Sequence, residues 1–453
     1  MKRRNKVVLV CVAVLVTAAV AALLWKLQGS HALSGNRERV DTPEIMENLV
    51  DTDAELAEVS DYTGSTEPAG MSGFIDATEQ AETSEELSEE EVLDLQIKEM
   101  LSSMTLEQKV AQIFFVAPES LVDSDPVVET DETFAAALAE YPVGGVVYFA
   151  KNLVDTQQTA QMLADVQQYY ESTQGLSLFL AVDEEGGRVR RIGKNESFGV
   201  ETVEAMGTLA KKEDTEVIFE AADTIGSYLK VLGFNVDFAP DADVITNSKN
   251  TVIGDRSFGT DPKLVSDMAG RFSDGLHNNG ILSCYKHFPG HGGTVEDSHT
   301  GAAYAYKTKE ALLAKELIPF INAEENGVDF VMVAHICVPE VSKEESVPTL
   351  PGVEQEIKDI PATFSKILVT DILRNEMGYQ GIIITDSLSM GAITDYYDEN
   401  ETAVYAFLAG CDMLLMPKNF HGAYEAVLSA VKEGRITEER LDESVYRIIK
   451  KKL

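Results

Sequence analysis

Eight short apolar runs, most of them followed by an amphipathic stretch, dominate the sequence beyond residue 105. They are Ile113–Ala117, Gly144–Phe149, Leu178–Asp183, Val236–Pro240, Ile281–His287, Asp329–His335, Gly381–Asp386 and Asp412–Met416. Near-continuous Val, Ile, Leu and Phe read as strands buried on both faces, since a strand with one wet face alternates apolar with polar residues. Between the runs, Thr156–Ser172, Ala221–Leu232, Leu264–Asn279, Lys315–Asn326, Phe364–Met377 and Ala403–Gly410 read as amphipathic helices. Such alternation builds a parallel sheet covered by helices. Eight strands in roughly 350 residues predict an α/β fold of the (β/α)8 TIM-type barrel class. An open doubly wound sheet would alternate similarly, but no GxGxxG follows the first run and no GxxxxGK[ST] occurs. Thr105-Leu-Glu-Gln108 has capping-box spacing and announces the folded part.

The 453 residues divide into three regions. Residues 1–30 place Lys2, Arg3, Arg4 and Lys6 before an apolar run, Val7–Trp25, that Lys26 closes. The run is just long enough to cross a bilayer, and the basic flank belongs on the cytoplasmic side. An uncleaved single-pass membrane anchor with the rest of the chain extracytoplasmic is expected; a cleaved signal peptide, giving a secreted protein, is the other reading. Residues 31–95 hold 19 acids and only two bases, Arg37 and Arg39, with few aromatics. One-sided charge of this kind predicts a disordered acidic linker. The domain proper is then 96–453. With 76 acids against 37 bases the chain carries a formal charge of −39, which rules out nucleic-acid binding as a main role. Four scattered cysteines, with no CxxC pair, suggest buried thiols rather than a disulfide framework.

Polar residues gather at the ends of the runs. Asp183 leads into Glu-Glu-Gly-Gly-Arg188-Val-Arg-Arg191, and Lys286-His287 into Phe-Pro-Gly-His291-Gly-Gly, with Asp297-Ser-His299 soon after. His335 and Asp386 close two further runs, and Asp243 follows a third. In a parallel barrel these strand ends share one rim, so they converge on one pocket. Carboxylates, arginines, a lysine and histidines together suit a polyhydroxylated substrate. His287, His291 and His299 lack the HExxH spacing, and Lys286 would repel a cation, so no metal is expected.

These motifs resemble those of glycoside hydrolase family 3, in its β-N-acetylglucosaminidase (β-N-acetylhexosaminidase) branch. The resemblance rests on Lys286-His-Phe-Pro-Gly-His-Gly292 with Asp297-Ser-His299, on Asp183–Arg191, on Ile253-Gly-Asp-Arg256 and on Thr385-Asp386-Ser-Leu-Ser-Met-Gly391, in the family's order. It implies a retaining exo-enzyme that removes terminal β-linked N-acetylglucosamine. Asp386 matches the nucleophile, and a strand-end carboxylate suits that task. An Asp there could instead cap the following helix. His299 matches the general acid/base, with Asp297 as its partner. An imidazole can do this work because its pKa lies near neutrality and a carboxylate fixes its tautomer. Asp183, Arg191, Arg256, Lys286 and His287 match substrate contacts, whereas Asp243 and His335 read equally well as structural support.

Gly290, Gly292 and Gly293 suggest a loop free to swing over bound sugar. No cofactor is implied. With the N-terminal anchor, the resemblance suggests peptidoglycan fragments or related wall glycans of a bacterial cell as substrates. A β-glucosidase or β-xylosidase of the same family is the nearest alternative. Such enzymes commonly take their acid/base from a second domain, for which the chain has no room after its eighth run. A non-catalytic surface glycan-binding protein is the alternative of another class.

Overall fold

The computed structural model describes residues 87–122, 124–294, 296–298, 301–353 and 359–453. The expected anchor 1–30, residues 31–86 of the expected linker, and His299 lie outside the described residues.

All eight apolar runs contain a strand: β1 (Phe114–Val116), β2 (Gly145–Val147), β3 (Phe179–Val182), β4 (Val236–Asp237), β5 (Cys284–Phe288), β7 (Phe330–Val333), β9 (Ile382–Thr385) and β10 (Leu414–Leu415). Two further short strands, β6 (Ala303–Tyr304) and β8 (Ile336–Cys337), pair with each other. The main strands form parallel sheets in the orders β10-β1-β2-β3-β4 and β5-β7-β9. Parallel bridges Val236–Leu282 and Asp241–Lys286 connect the β4 and β5 segments, and Ile384–Met413 connects β9 to the start of β10. Each edge of the smaller sheet is therefore linked to an edge of the larger one. The chain is an α/β fold with parallel sheets.

Apolar side chains from these strands supply the core. The Phe115 and Phe179 rings stack with centroids 6.4 Å apart, and Phe238 and Phe330 pack against them at 5.2 and 5.4 Å. Gly145 makes room for this cluster, because a Cβ there would fall 2.5 Å from the Phe115 ring. Cys284, Cys337 and Cys411 are buried free thiols, as expected.

Charged groups are concentrated where strands begin. Asp412, ahead of β10, is fully buried and pairs with Arg374, Arg440 and Arg447, and it accepts the Ile383 N–H at 3.0 Å. Burial opposes its ionisation, but the three arginines hold its pKa below the usual carboxylate value. Asp329, ahead of β7, meets His277 at 2.7 Å and Lys451 at 2.6 Å. The C-terminal helix Glu438–Lys452 supplies much of this set. Its Lys452 ammonium lies 5.4 Å from the Tyr170 ring centroid and 5.0 Å from that of Phe179, and donates to Gln112 Oε1 at 3.0 Å. Burial lowers the Lys452 pKa to about 7.

Three expectations need correction. The linker was expected to run to Leu95, yet Glu89–Ser103 is a helix. A capping box between Ser88 and Glu91 starts it, three glutamates favour its N-terminal turn, and Tyr446 Oη donates to Asp94. The helix expected over Lys315–Asn326 contracts to Ile318–Ile321. Pro319 has no N–H to extend a ladder, and the chain turns at Gly327, where φ is +66°. The Phe364–Met377 stretch is wound as a π-helix over Ile367–Glu376. Thr105 does cap Leu106–Gln112, with the return bond from Gln108. Among the described residues no helix is long and apolar enough to cross a membrane.

Candidate active site

A pocket of about 480 Å³ opens where the strands end. Asp183 follows β3, Lys286 and His287 lie within β5, and Asp386 follows β9. With Arg191 and Arg256 from intervening segments, these six line the pocket, so widely separated sequence positions converge as expected. Asp297 is half-buried on the segment beyond Gly293 and is not among the lining residues. The apolar lining includes Phe149, Phe238, Met332 and Met416, which lie outside the motifs, and Met390, which lies within one. Met416 has φ +47°, a strained left-handed conformation at the end of β10.

The cations are already paired. Lys286 Nζ lies 2.6 Å from Glu185 and 3.0 Å from Asp183, and Lys286 is 2% exposed. Arg256 donates through Nε and Nη2 to the two Glu185 oxygens, both at 2.8 Å, and reaches Asp241 at 3.3 Å. Arg191 meets Asp183 at 3.3 Å and lies across the Phe149 ring. Glu185 thus joins both buried cations. Burial alone would raise its pKa, but Arg256 and Lys286 hold it far below the usual range. The same carboxylates push Lys286 and Arg256 upward against burial.

His287 Nδ1 lies 2.8 Å from Asp243 Oδ2, while its Nε2 faces Arg256 Nη2 at 3.4 Å. Since the carboxylate can only accept, Nδ1 carries the proton. Burial opposes imidazolium, yet Asp243 draws the His287 pKa upward. Burial and the neighbouring Asp243 raise Asp241 to about 7. Asp243 also accepts the His291 N–H at 2.5 Å, so it supports the site from behind rather than lining it.

Glu184 turns away from the pocket and is fully buried. Its Oε2 accepts the N–H groups of Arg191 and Ile192 at 2.6 and 2.9 Å. Its Oε1 accepts those of Gly193 and the Tyr228 hydroxyl at 2.8 and 2.9 Å. One carboxylate therefore folds the loop that delivers Arg191. Sequence reasoning missed Glu184 and Glu185 as actors; the signal available was the cluster of arginines and a lysine at buried strand ends, which need acids beyond Asp183.

Asp386 donates its backbone N–H to Val333 O at 2.9 Å, and its Oδ1 accepts from Ser387 N at 2.7 Å. The next helix, Gly391–Thr394, has Met390 at its cap, so Asp386 does not cap it. His335 is fully buried between Thr363 Oγ1 at 2.7 Å and Ser387 O at 2.9 Å. A carbonyl only accepts, so Nε2–H of His335 donates to the residue beside Asp386. Both Asp243 and His335 thus act as supports.

The glycine-rich turn is held by hydrogen bonds and by close packing at Gly292. The N–H groups of Thr246 and Asn247 both reach Gly292 O at 3.2 Å, and Asn250 donates to His291 O at 2.8 Å. A Cβ on Gly292 would fall 2.1 Å from Val244 O. Close packing, not mobility, demands glycine there. Among the described residues, Asp241, Asp243 and His287 offer three metal-ligand atoms in close proximity. The Arg256 guanidinium beside them, and the hydrogen bond joining two of them, fit an ion-pair network rather than a cation site.

The family model of the glycosyl hydrolase family 3 N-terminal domain matches residues 105–451. The chain belongs to glycosyl hydrolase family 3. It is 33% identical over 328 residues to β-hexosaminidase A of Pseudoalteromonas piscicida, covering 70% of this chain and 54% of that protein. It is 32% identical over 307 residues to a β-hexosaminidase of Hydrogenovibrio crunogenus, covering 66% and 79%. Among solved structures, a family 3 β-N-acetylglucosaminidase from Paenibacillus sp. str. FPU-7 superposes with a TM-score of 0.69 at 37% identity, covering 76% of this chain and 62% of its own. This chain thus spans about half the Pseudoalteromonas protein and under two thirds of the Paenibacillus one. The family 3 resemblance read from the motifs, and its β-hexosaminidase branch, agree with these relatives.

Proposed function

We propose that this family 3 chain is a retaining exo-β-N-acetylglucosaminidase that hydrolyses terminal β-linked N-acetylglucosamine from peptidoglycan fragments or related glycans. The carrying observation is that Asp386 lines one pocket with Asp183, Arg191, Arg256, Lys286 and His287. In this reading the Asp386 carboxylate attacks the anomeric carbon. The glycosidic oxygen leaves with a proton from His299, whose ring Asp297 orients. A glycosyl ester on Asp386 remains. His299 then takes a proton from water, which attacks the same carbon, and two inversions give net retention. The five other lining residues hold the sugar hydroxyls, and their mutual ion pairs fix them before substrate arrives. The strand pairings and bridges support closure of the eight main strands into a (β/α)8 barrel with the pocket at its C-terminal rim. The basic, apolar N-terminal sequence supports a membrane anchor with the domain outside the cytoplasm.

The test is the full chain assayed on chromogenic β-N-acetylglucosaminide and β-glucoside side by side, with Asp386→Ala as control. Release from the first alone, lost in the variant, is expected. Preferred release from the glucoside would overturn the assignment of Asp297 and His299. Release from neither would favour a glycan-binding role.

A further inference from the structure

Tyr306 is the one aromatic among the large apolar side chains that the described residues leave exposed, at 74%. The other described aromatics are at least partly covered, so its position is the informative exception. Its ring lies parallel to that of Tyr304, with centroids 5.6 Å apart and an interplanar angle of 8°. Tyr304 ends β6, and Tyr306 lies two residues on, just beyond the strand.

The backbone holds this pair firmly. Tyr304 pairs with Cys337 in the β6–β8 ladder, and Ala305 N donates to Cys337 O at 2.9 Å. The Lys307–Glu316 ion pair secures the segment just beyond Tyr306. The segments that carry the pair adjoin segments that line the pocket. Strand β8 begins immediately after His335, which bonds the residue beside Asp386. On the other side, Gly391 lines the pocket, and the next residue, Ala392, donates to Ser298 O at 3.2 Å. A Cβ on Gly301 would lie 3.8 Å from the Tyr396 hydroxyl, and Tyr396 neighbours Tyr304.

We propose that Tyr304 and Tyr306 form a stacking platform for a sugar ring on the leaving-group side of the scissile bond. This rests on the exo-glycosidase reading above. If the pocket takes one terminal sugar, the rest of the glycan must cross the rim. The flat C–H face of a pyranose fits the negatively polarised face of an aromatic ring, and a tyrosine ordered before binding loses little side-chain entropy. A rim platform adds affinity for a chain while leaving the chemistry at Asp386 untouched.

The test compares β-1,4-linked tri-N-acetylglucosamine with N-acetyl-β-glucosaminyl fluoride, whose leaving group carries no ring. Tyr306→Ala should lower kcat/KM on the trisaccharide about five- to tenfold and leave the fluoride unchanged, and Tyr306→Phe should retain the wild-type ratio. An equal loss on both substrates, or none on the trisaccharide, overturns the platform. A change in self-association between wild type and Tyr306→Ala, with trisaccharide turnover unaltered, would assign the face to a second copy of the chain and also overturn it. If the wild type cleaves neither substrate, the exo-glycosidase reading fails. Calorimetry with the trisaccharide then decides the platform separately, since equal affinity in wild type and Tyr306→Ala refutes it and weaker binding in the variant upholds it.

Discussion

Replacing Glu184 with glutamine isolates how a residue that does not line the pocket controls one that does. The carboxylate satisfies four donors, the N–H groups of Arg191, Ile192 and Gly193 and the Tyr228 hydroxyl. In the better of two orientations the glutamine oxygen keeps Arg191 and Ile192, while its NH2 faces the Gly193 N–H. Tyr228 can adapt by accepting instead of donating. Two charge-assisted bonds weaken by about 1 kcal/mol each and one donor loses its acceptor for about 1–2 kcal/mol, some of it recovered by water. The sum is about 2–4 kcal/mol. For a domain of this size about 1 kcal/mol moves Tm by roughly 1–2 °C, so a fall of about 3–6 °C is expected. Because the loop carries Arg191, kcat/KM should fall about tenfold or more, chiefly through KM. The decisive assay is a double-mutant cycle. If Glu184 acts through Arg191, adding Glu184→Gln to Arg191→Ala should cost no further kcat/KM, although Tm should still drop. Additive losses in kcat/KM would refute the reasoning, as would a single variant with reduced Tm and unchanged kcat/KM.

Three other perturbations test the charge networks. Lys286→Met leaves Asp183 and Glu185 without their shared cation; a loss of about 3–5 kcal/mol and at least a hundredfold in kcat/KM is expected. Adding Asp183→Asn should restore part of the Tm but none of the turnover, and an unchanged Tm in Lys286→Met would contradict the pairing. Asp412→Asn should cost about 3–5 kcal/mol at pH 7 in urea titrations. Since the folded pKa of Asp412 is depressed, its contribution is full above the ordinary carboxylate pKa of about 3.9 and fades as pH falls below it, so the variant should lose part of the acid-side slope. Lys452 titrates at about 7 in the fold against about 10.4 unfolded, so the folded state binds fewer protons across that interval and wild-type stability should rise from pH 7 to 10. Lys452→Met should flatten that rise and gain about 1–3 kcal/mol at pH 7 and below; a stability loss there would show that the Tyr170 and Phe179 rings outweigh desolvation.

Strand positions were legible because burial on both faces imposes composition locally: each apolar run contains its strand, and the motif residues fall at strand ends. Side-chain pairing was not legible in the same way. Lys286 finds Asp183 across 103 positions and Arg256 finds Glu185 across 71, distances over which a linear sequence carries no register. Adjacent glutamates diverge for a similar reason. Glu185 enters the pocket, whereas Glu184 turns behind it, a division set by the backbone of one loop. The close packing at Gly292 was not legible either, because a glycine required by packing looks identical in sequence to one required for motion. Tyr306 was invisible too, since two tyrosines two residues apart do not announce which is covered.

Hydrogen bonds join the earliest part of the domain to its latest. Tyr446 meets Asp94 across 352 positions, Lys452 meets Gln112 across 340, Lys109 meets Asp442 across 333 and Tyr424 meets Glu107 across 317. In a chain emerging from the ribosome, Gln112 Nε2 meets Pro142 O and Tyr170 early, but the partners of Gln112 Oε1 and of the Lys109 ammonium arrive only with the helix Glu438–Lys452. Strand β1 can pair with β2 soon after both are made, but its other edge, which β10 fills, stays open while almost the whole domain is synthesised. Contacts of such sequence separation make closure slow and late.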